Sequence, residues 1–237
     1  MVSLHFPMNA DDFEKLPRHP AYRYRHHEGH AWLTPSPRYL HACLDLPELE
    51  VEGTARIPVR PLLDEDWPLL EDVFAEAFAS QPPFAGLPEK HLKKAASVSL
   101  ERTRENQDGP LISPACFVAQ DPDGTLLGAV LVTLVPLNDP REWGAYIWDE
   151  SPPVDAIAQR EGRPHLTWIF VRSNHVGHGI GAALLEAATT SLRSMGFDEL
   201  HSTILLGNDL SLTWHWRMGF RLLTHPSSRR DDLREIF

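Results

Sequence analysis

The residues best placed to do chemistry lie in residues 166–185, LTWIFVRSNHVGHGIGAALL. An apolar, β-prone run of Trp168, Ile169, Phe170 and Val171 breaks into a polar turn, passes Gly177, Gly179 and Gly181, and becomes an apolar helix. A strand, a glycine-rich turn and a helix N-terminus form an anion site, because unpaired main-chain N–H groups converge there and the helix dipole adds partial positive charge. Glycine removes the Cβ that would keep a ligand from the main chain. Hydrogen bonds to a charged group contribute about 1.5–3 kcal/mol each, so several amides can hold a diphosphate without a lysine.

Two coenzyme classes present a diphosphate. Gly177, Gly179 and Ala182 satisfy the permissive G-x-G-x-x-A spacing of dinucleotide sites. That fold needs its fingerprint near the start of a βαβαβ unit and an acid at the carboxyl end of the following strand. Here Asp198 and Glu199 sit at the beginning of that strand, Asp209 lies just past its end, and too little chain remains for the missing parallel strands. A dinucleotide-dependent oxidoreductase is therefore the weaker alternative.

The elements around the loop follow from periodicity and turn chemistry. Residues 1–50 read as an extension with a short acidic helix at 11–16, then a β-hairpin turning at Glu28-Gly29. Residues 38–46 suit a short strand or helix. A strand at 55–59 precedes a helix capped by Asp64 or Asp66, with Leu69, Val73, Phe74 and Ala77 as its stripe. A second helix spans about 89–104. Strands at 115–120 and 125–137 flank Asp121-Pro-Asp-Gly124, a hairpin turn. Residues 138–164 read as an aperiodic insertion. After the glycine loop and its helix come a strand at 199–206, a helix at 209–218 and a strand at 220–224. The order implies an α/β (α+β) domain over 51–237, a mixed sheet with helices on both faces.

Composition narrows the partners. The 237 residues carry 33 Asp and Glu against 22 Lys and Arg, a formal charge of −11, which disfavours nucleic acid and mildly favours a cationic or amine-bearing substrate. Two distant cysteines, no basic leader and no apolar run long enough for a bilayer give the expectation of a cytoplasmic protein that does not enter membranes. His26, His27 and His30 lack a clearly paired further ligand, so no metal site is expected there.

The sequence from Val171 to Leu185 resembles motif A of the GNAT superfamily of acyl-CoA-dependent N-acetyltransferases, (Arg/Gln)-x-x-Gly-x-(Gly/Ala). Residues 208–220, NDLSLTWHWRMGF, resemble the family's motif B, with a strand between the two. The resemblance covers about residues 55–225. It implies a mostly antiparallel sheet whose two central parallel strands splay apart near a bulge, around Phe170, to admit acetyl-CoA. Main-chain groups of Ile169, Phe170 and Val171 would pair with the pantetheine arm. Val176, Gly177, His178, Gly179, Ile180, Gly181 and Ala182 would hold the pyrophosphate, and Asn208 would touch pantetheine while capping its helix. Val176 replaces the family's usual Arg or Gln, so His178 would have to compensate in part. His215 stands where the family often has the tyrosine that protonates the departing thiolate. General-base candidates are Glu142, Asp149, Glu150 and His201. Trp143, Trp148, Trp168, Trp214 and Trp216 could wall an acceptor pocket. The implied activity is direct transfer of acetyl from acetyl-CoA to a small-molecule or peptide primary amine in a ternary complex. A coenzyme-binding regulatory module without turnover is the alternative from another class. Residues 1–50 and 138–164 are the expected seats of specificity or homodimer contacts.

Overall fold

A computed structural model of the chain describes residues 4–15, 22–35, 39–46, 57–81, 84–85, 87–139 and 146–223. Near the N-terminus, strands β1 (Leu4–Pro7), β2 (Tyr22–His27) and β3 (His30–Pro35) form a three-stranded antiparallel sheet, with helix α1 (Ala10–Lys15) between β1 and β2. The hairpin turns at Glu28-Gly29, where both residues have positive φ.

Strand β4 (Tyr39–Asp45) belongs to a different sheet. Both Ala42 and Cys43 are fully buried, so both faces of the strand are covered and it suits an internal position. The break at residue 50 expected from the sequence therefore does not separate the two sheets. The seven-stranded sheet has the order β10-β4-β9-β8-β7-β6-β5. Its other strands are β5 (Val59–Pro61), β6 (Phe117–Gln120), β7 (Leu126–Val135), β8 (Arg163–Val171), β9 (Glu199–Leu205) and β10 (Arg221–Leu222). Every neighbouring pair is antiparallel except β8 with β9. Of the strand expected at 55–59, residues 55–56 lie outside the described residues.

Helices cover the two faces. On β7, Val130, Val132 and Leu134 pack toward α5 (Ile180–Ser194), while Ala129 and Leu131 pack toward α2 (Trp67–Phe78) and α3 (Glu89–Arg104). This alternation is the two-residue period of a strand buried on both sides. Helix α2 turns Trp67, Leu70, Val73 and Phe74 inward, whereas Leu69, expected in the buried stripe, is exposed. Asp66 does not cap α2 with its side chain. It instead accepts two hydrogen bonds of 2.7 Å from Arg60 and one from the Leu63 N–H. A short helix, α4 (Ala156–Gln159), lies in the segment expected to be aperiodic, and β8 begins at Arg163 within that segment. Helix α6 (Asp209–Arg217) follows β9 and shares the α5 face.

Candidate acyl-coenzyme site

The parallel pair at the centre is short. β8 and β9 pair only at His165 with His201 and at Leu166 with Ser202, although β8 continues to Val171 and β9 to Leu205. Past those pairs the two strands part, leaving a cleft between their carboxyl halves. The cause lies in β8, where Leu131 faces Trp168 and Val132 faces Leu166, so Thr167 is an extra residue in the ladder. A bulge of this kind bends its strand and increases the local twist. It sits at Thr167, three positions before the Phe170 expected from the sequence. It also switches parity: Leu166 packs toward α5, but Trp168 and Phe170 pack toward α2 and α3.

The ladder decides which main-chain groups face the cleft. The Arg172 N–H donates to the Leu127 carbonyl at 2.8 Å, which makes Arg172 and Leu127 a hydrogen-bonded pair. Alternation along an antiparallel ladder then gives Phe170 to Ala129 and Trp168 to Leu131. The N–H and C=O of Ile169 and Val171 point the other way, toward the side from which β9 has withdrawn. Phe170, expected to share that role, spends its main-chain groups on β7. Its ring packs against Phe74 and Phe78.

The loop from β8 to α5 presents a row of donors. Among the described residues, the N–H groups of Gly177, His178, Gly179, Ile180, Gly181 and Ala182 donate to no protein atom; the first closed turn of α5 is Ala183 N–H to Gly179 C=O, 3.0 Å. Gly177 and Gly179 have φ of +86° and +84°, which L side chains rarely adopt. A Cβ at Gly177 would touch nothing within 4 Å, so torsion, rather than space, requires glycine there. At Gly181 a Cβ would lie 3.1 Å from Trp214 Nε1, so glycine lets α6 approach α5. Val176 is half exposed, with extended backbone, and His178 is exposed. The loop is anchored by Glu76 of α2, which accepts from Arg172 Nη1 and from the Ser173 N–H and hydroxyl. Burial pushes the Glu76 carboxyl up, but the bonds and charge from Arg172 and Ser173 outweigh it and hold it below the usual carboxylate range.

Asn208 caps α6, its Oδ1 accepting from the Ser211 N–H at 3.1 Å. His215 is buried, and both of its nitrogens are engaged. Nδ1 lies 2.7 Å from the Ser211 carbonyl, which fixes Nδ1 as the donor and leaves Nε2 to accept from the Ser202 hydroxyl at 2.8 Å. Burial lowers its pKa, against a smaller opposing effect of the bond to the Ser211 carbonyl. This geometry ties α6 to β9 and does not suit the thiolate-protonating role expected from the sequence.

Of the base candidates, Glu142 lies outside the described residues, and Asp149 and Glu150 are exposed. His201 is buried under Tyr146, whose hydroxyl is 2.7 Å from Nδ1. It belongs to a polar cluster that the sequence reading missed, on the sheet face opposite α6. His165 Nε2 and His41 Nδ1 both reach the Thr203 hydroxyl, at 2.9 and 3.2 Å. His165 Nδ1 reaches Thr167, whose hydroxyl bonds Thr133 at 2.8 Å. The chain of contacts thus crosses β4, β9, β8 and β7 at the fork. Burial first, and neighbouring histidines second, push His165 down to about 3. The available signal was polar residues at alternate positions: His41 and Cys43, His165 and Thr167, His201 and Thr203.

The tryptophans do not gather into one wall. Trp143 is outside the described residues, Trp148 donates to the Leu134 carbonyl, Trp168 donates to Thr103, and Trp216 is exposed.

The sequence matches the acetyltransferase (GNAT) family model over residues 70–220, well over half of the chain. The chain belongs to the GNAT acetyltransferase family. Among solved structures, a putative acetyltransferase from Pyrococcus furiosus aligns with TM-score 0.50 and 17% identity, covering 71% of this chain and 95% of that one. A GCN5-related N-acetyltransferase from Sphaerobacter thermophilus aligns with TM-score 0.50 and 15% identity, covering 94% of this chain and 57% of that one. A GNAT family acetyltransferase from Brucella melitensis, solved with acetyl-CoA, aligns with TM-score 0.46 and 21% identity over 71% of this chain and 88% of that one. Comparison with curated protein sequences gives no match. No helix among the described residues is long and apolar enough to cross a membrane.

Proposed function

We propose that this GNAT protein transfers an acetyl group from acetyl-CoA directly to a primary amine, carried by a small molecule or a peptide, within a ternary complex. The observation that supports this most is the run of unclaimed amides from Gly177 to Ala182 at the end of a cleft opened by the Thr167 bulge. The amides and the α5 dipole bind the pyrophosphate. Ile169 and Val171 offer N–H and C=O groups to the pantetheine amides, as an added strand would. An N–H there also polarises the thioester carbonyl, and holding amine and thioester together contributes about 7–11 kcal/mol. Asn208 keeps Nδ2 for the pantetheine arm while Oδ1 caps α6. Val176 supplies no charge, so coenzyme binding rests on backbone groups, with His178 beside them.

The test is isothermal titration with acetyl-CoA, followed by acceptor-dependent CoA release over an amine panel. Absence of saturable binding at millimolar acetyl-CoA removes the proposal. The sequestered His215 favours one second reading, a coenzyme-binding module without turnover. Coenzyme binding with no acceptor-dependent release from any amine would establish that reading instead.

A further inference from the structure

Cys43 on β4 and His201 on β9 are directly opposed across the antiparallel ladder, and Glu199 lies on the same face two residues before His201. One potential ligand atom from each of the three lies within 4.8 Å of the others. Cys43 Sγ is 3.5 Å from Glu199 Oε2, and His201 Nε2 is 2.8 Å from Glu199 Oε1. His201 is only 3% exposed, yet its Nε2 makes no aligned hydrogen bond despite that proximity. A buried ring nitrogen beside a carboxylate and a thiol, with no aligned bond of its own, is a donor lacking its acceptor, or a lone pair lacking its cation. The opposite nitrogen, Nδ1, has the Tyr146 hydroxyl at 2.7 Å. An outer hydrogen bond of that kind orients a metal-bound imidazole.

We infer that Cys43, Glu199 and His201 form a site for a zinc-like divalent cation, independent of the acyl-coenzyme cleft. A thiolate, an imidazole and a carboxylate are the ligand types zinc takes. Zinc–ligand distances of about 2.0–2.3 Å at tetrahedral angles put ligand atoms about 3.3–3.6 Å apart, close to the observed Sγ–Oε2 separation. Besides Arg221, whose charge reaches Cys43 and His201, Arg163 faces the site, its Nε 3.2 Å from Glu199 Oε1. It bonds the carboxylate edge shared with His201, leaving Oε2 on the Cys43 side for the metal. The thiol proton leaves to solvent on binding, so thiolate and carboxylate together balance the two positive charges. Glu199 is partly exposed, which opens the fourth position to water. A metal here clamps the N-terminal strand β4 onto β9, beside the last pairs before the fork.

The experiment uses the full chain, stripped with a chelator and titrated with Co2+ and then Zn2+. The expected result is one equivalent of Co2+ with a thiolate-to-cobalt charge-transfer band, displaced by Zn2+. Cys43→Ser abolishes the band, and His201→Ala weakens Zn2+ binding at least tenfold. Cys116→Ser and the triple variant His26→Ala, His27→Ala, His30→Ala retain both signals. The chain has two cysteines, so the band reports on one of two positions. Absence of the band in the unmodified chain, or its persistence in a folded Cys43→Ser variant, overturns the site. Should Cys43→Ser fail to fold, loss of the band in Cys116→Ser overturns it as well. Titration with acetyl-CoA reads the other site separately.

Discussion

Replacing Gly177 or Gly179 with alanine perturbs the amide row through backbone torsion alone. A Cβ at Gly177 meets nothing within 4 Å, and at Gly179 only Ile57 Cδ1 at 4.0 Å. Both glycines hold φ near +85°, where an L residue costs about 1–2 kcal/mol. Each variant therefore either carries that strain, or relaxes by rotating a peptide and turning an N–H away from the diphosphate. Relaxation loses one hydrogen bond to a charged group, about 1.5–3 kcal/mol, which is roughly a 10- to 150-fold loss of acetyl-CoA affinity. The assay is paired titration with acetyl-CoA and with acetyl-pantetheine, which lacks the diphosphate, alongside thermal melting. The expected outcome is weaker acetyl-CoA binding, unchanged acetyl-pantetheine binding and a melting temperature lower by a few degrees. Equal losses for both ligands would refute the assignment of these amides to the diphosphate, and full acetyl-CoA affinity with an unchanged melting temperature in both variants would refute the torsional argument.

Three further outcomes follow from the packing. His215→Phe leaves the Ser202 hydroxyl and Ser211 carbonyl without their buried partner, so it lowers unfolding free energy by about 1–3 kcal/mol in denaturant melts; a variant of unchanged stability contradicts this. Because burial lowers the His215 pKa on folding, its contribution is present above the unfolded value of about 6.5 and is lost as pH falls toward the folded value, a dependence that His215→Phe removes. Asp66→Asn removes the buried charge that accepts from two Arg60 nitrogens, but Arg60 is partly exposed and keeps Gln120 and the Pro61 carbonyl, so the cost is about 1–3 kcal/mol by urea denaturation; hydrogen bonds from Arg60 hold the Asp66 pKa down, so this contribution is present above about pH 3.9 and fades as pH falls through the folded value. Phe74→Ala, at the centre of a cluster with Phe78, Phe84, Trp168 and Phe170, costs about 3–5 kcal/mol, and a loss below 1 kcal/mol would contradict its placement.

The parts of the protein whose physics is local were legible in the chain alone. Glycines at positive φ before an apolar helix, Asn208 at a cap, the Asp121-Pro-Asp-Gly124 turn and the 89–104 helix depend on neighbours within a few residues, and all are present in the fold. Tertiary structure decided what depends on partners far along the chain. The Thr167 bulge exists only relative to β7, and it determines that Ile169 and Val171, rather than Phe170, face the cleft. β4 carries polar and apolar residues in alternation, and its place in the sheet follows from pairing with β9 and β10, segments about 160–180 residues away. The motif resemblance leads to the expectation of a proton donor at His215, but Ser202, thirteen residues earlier on another element, occupies its Nε2. Spacing reports the shape of a local turn, whereas protonation and exposure are set by whatever the fold brings alongside.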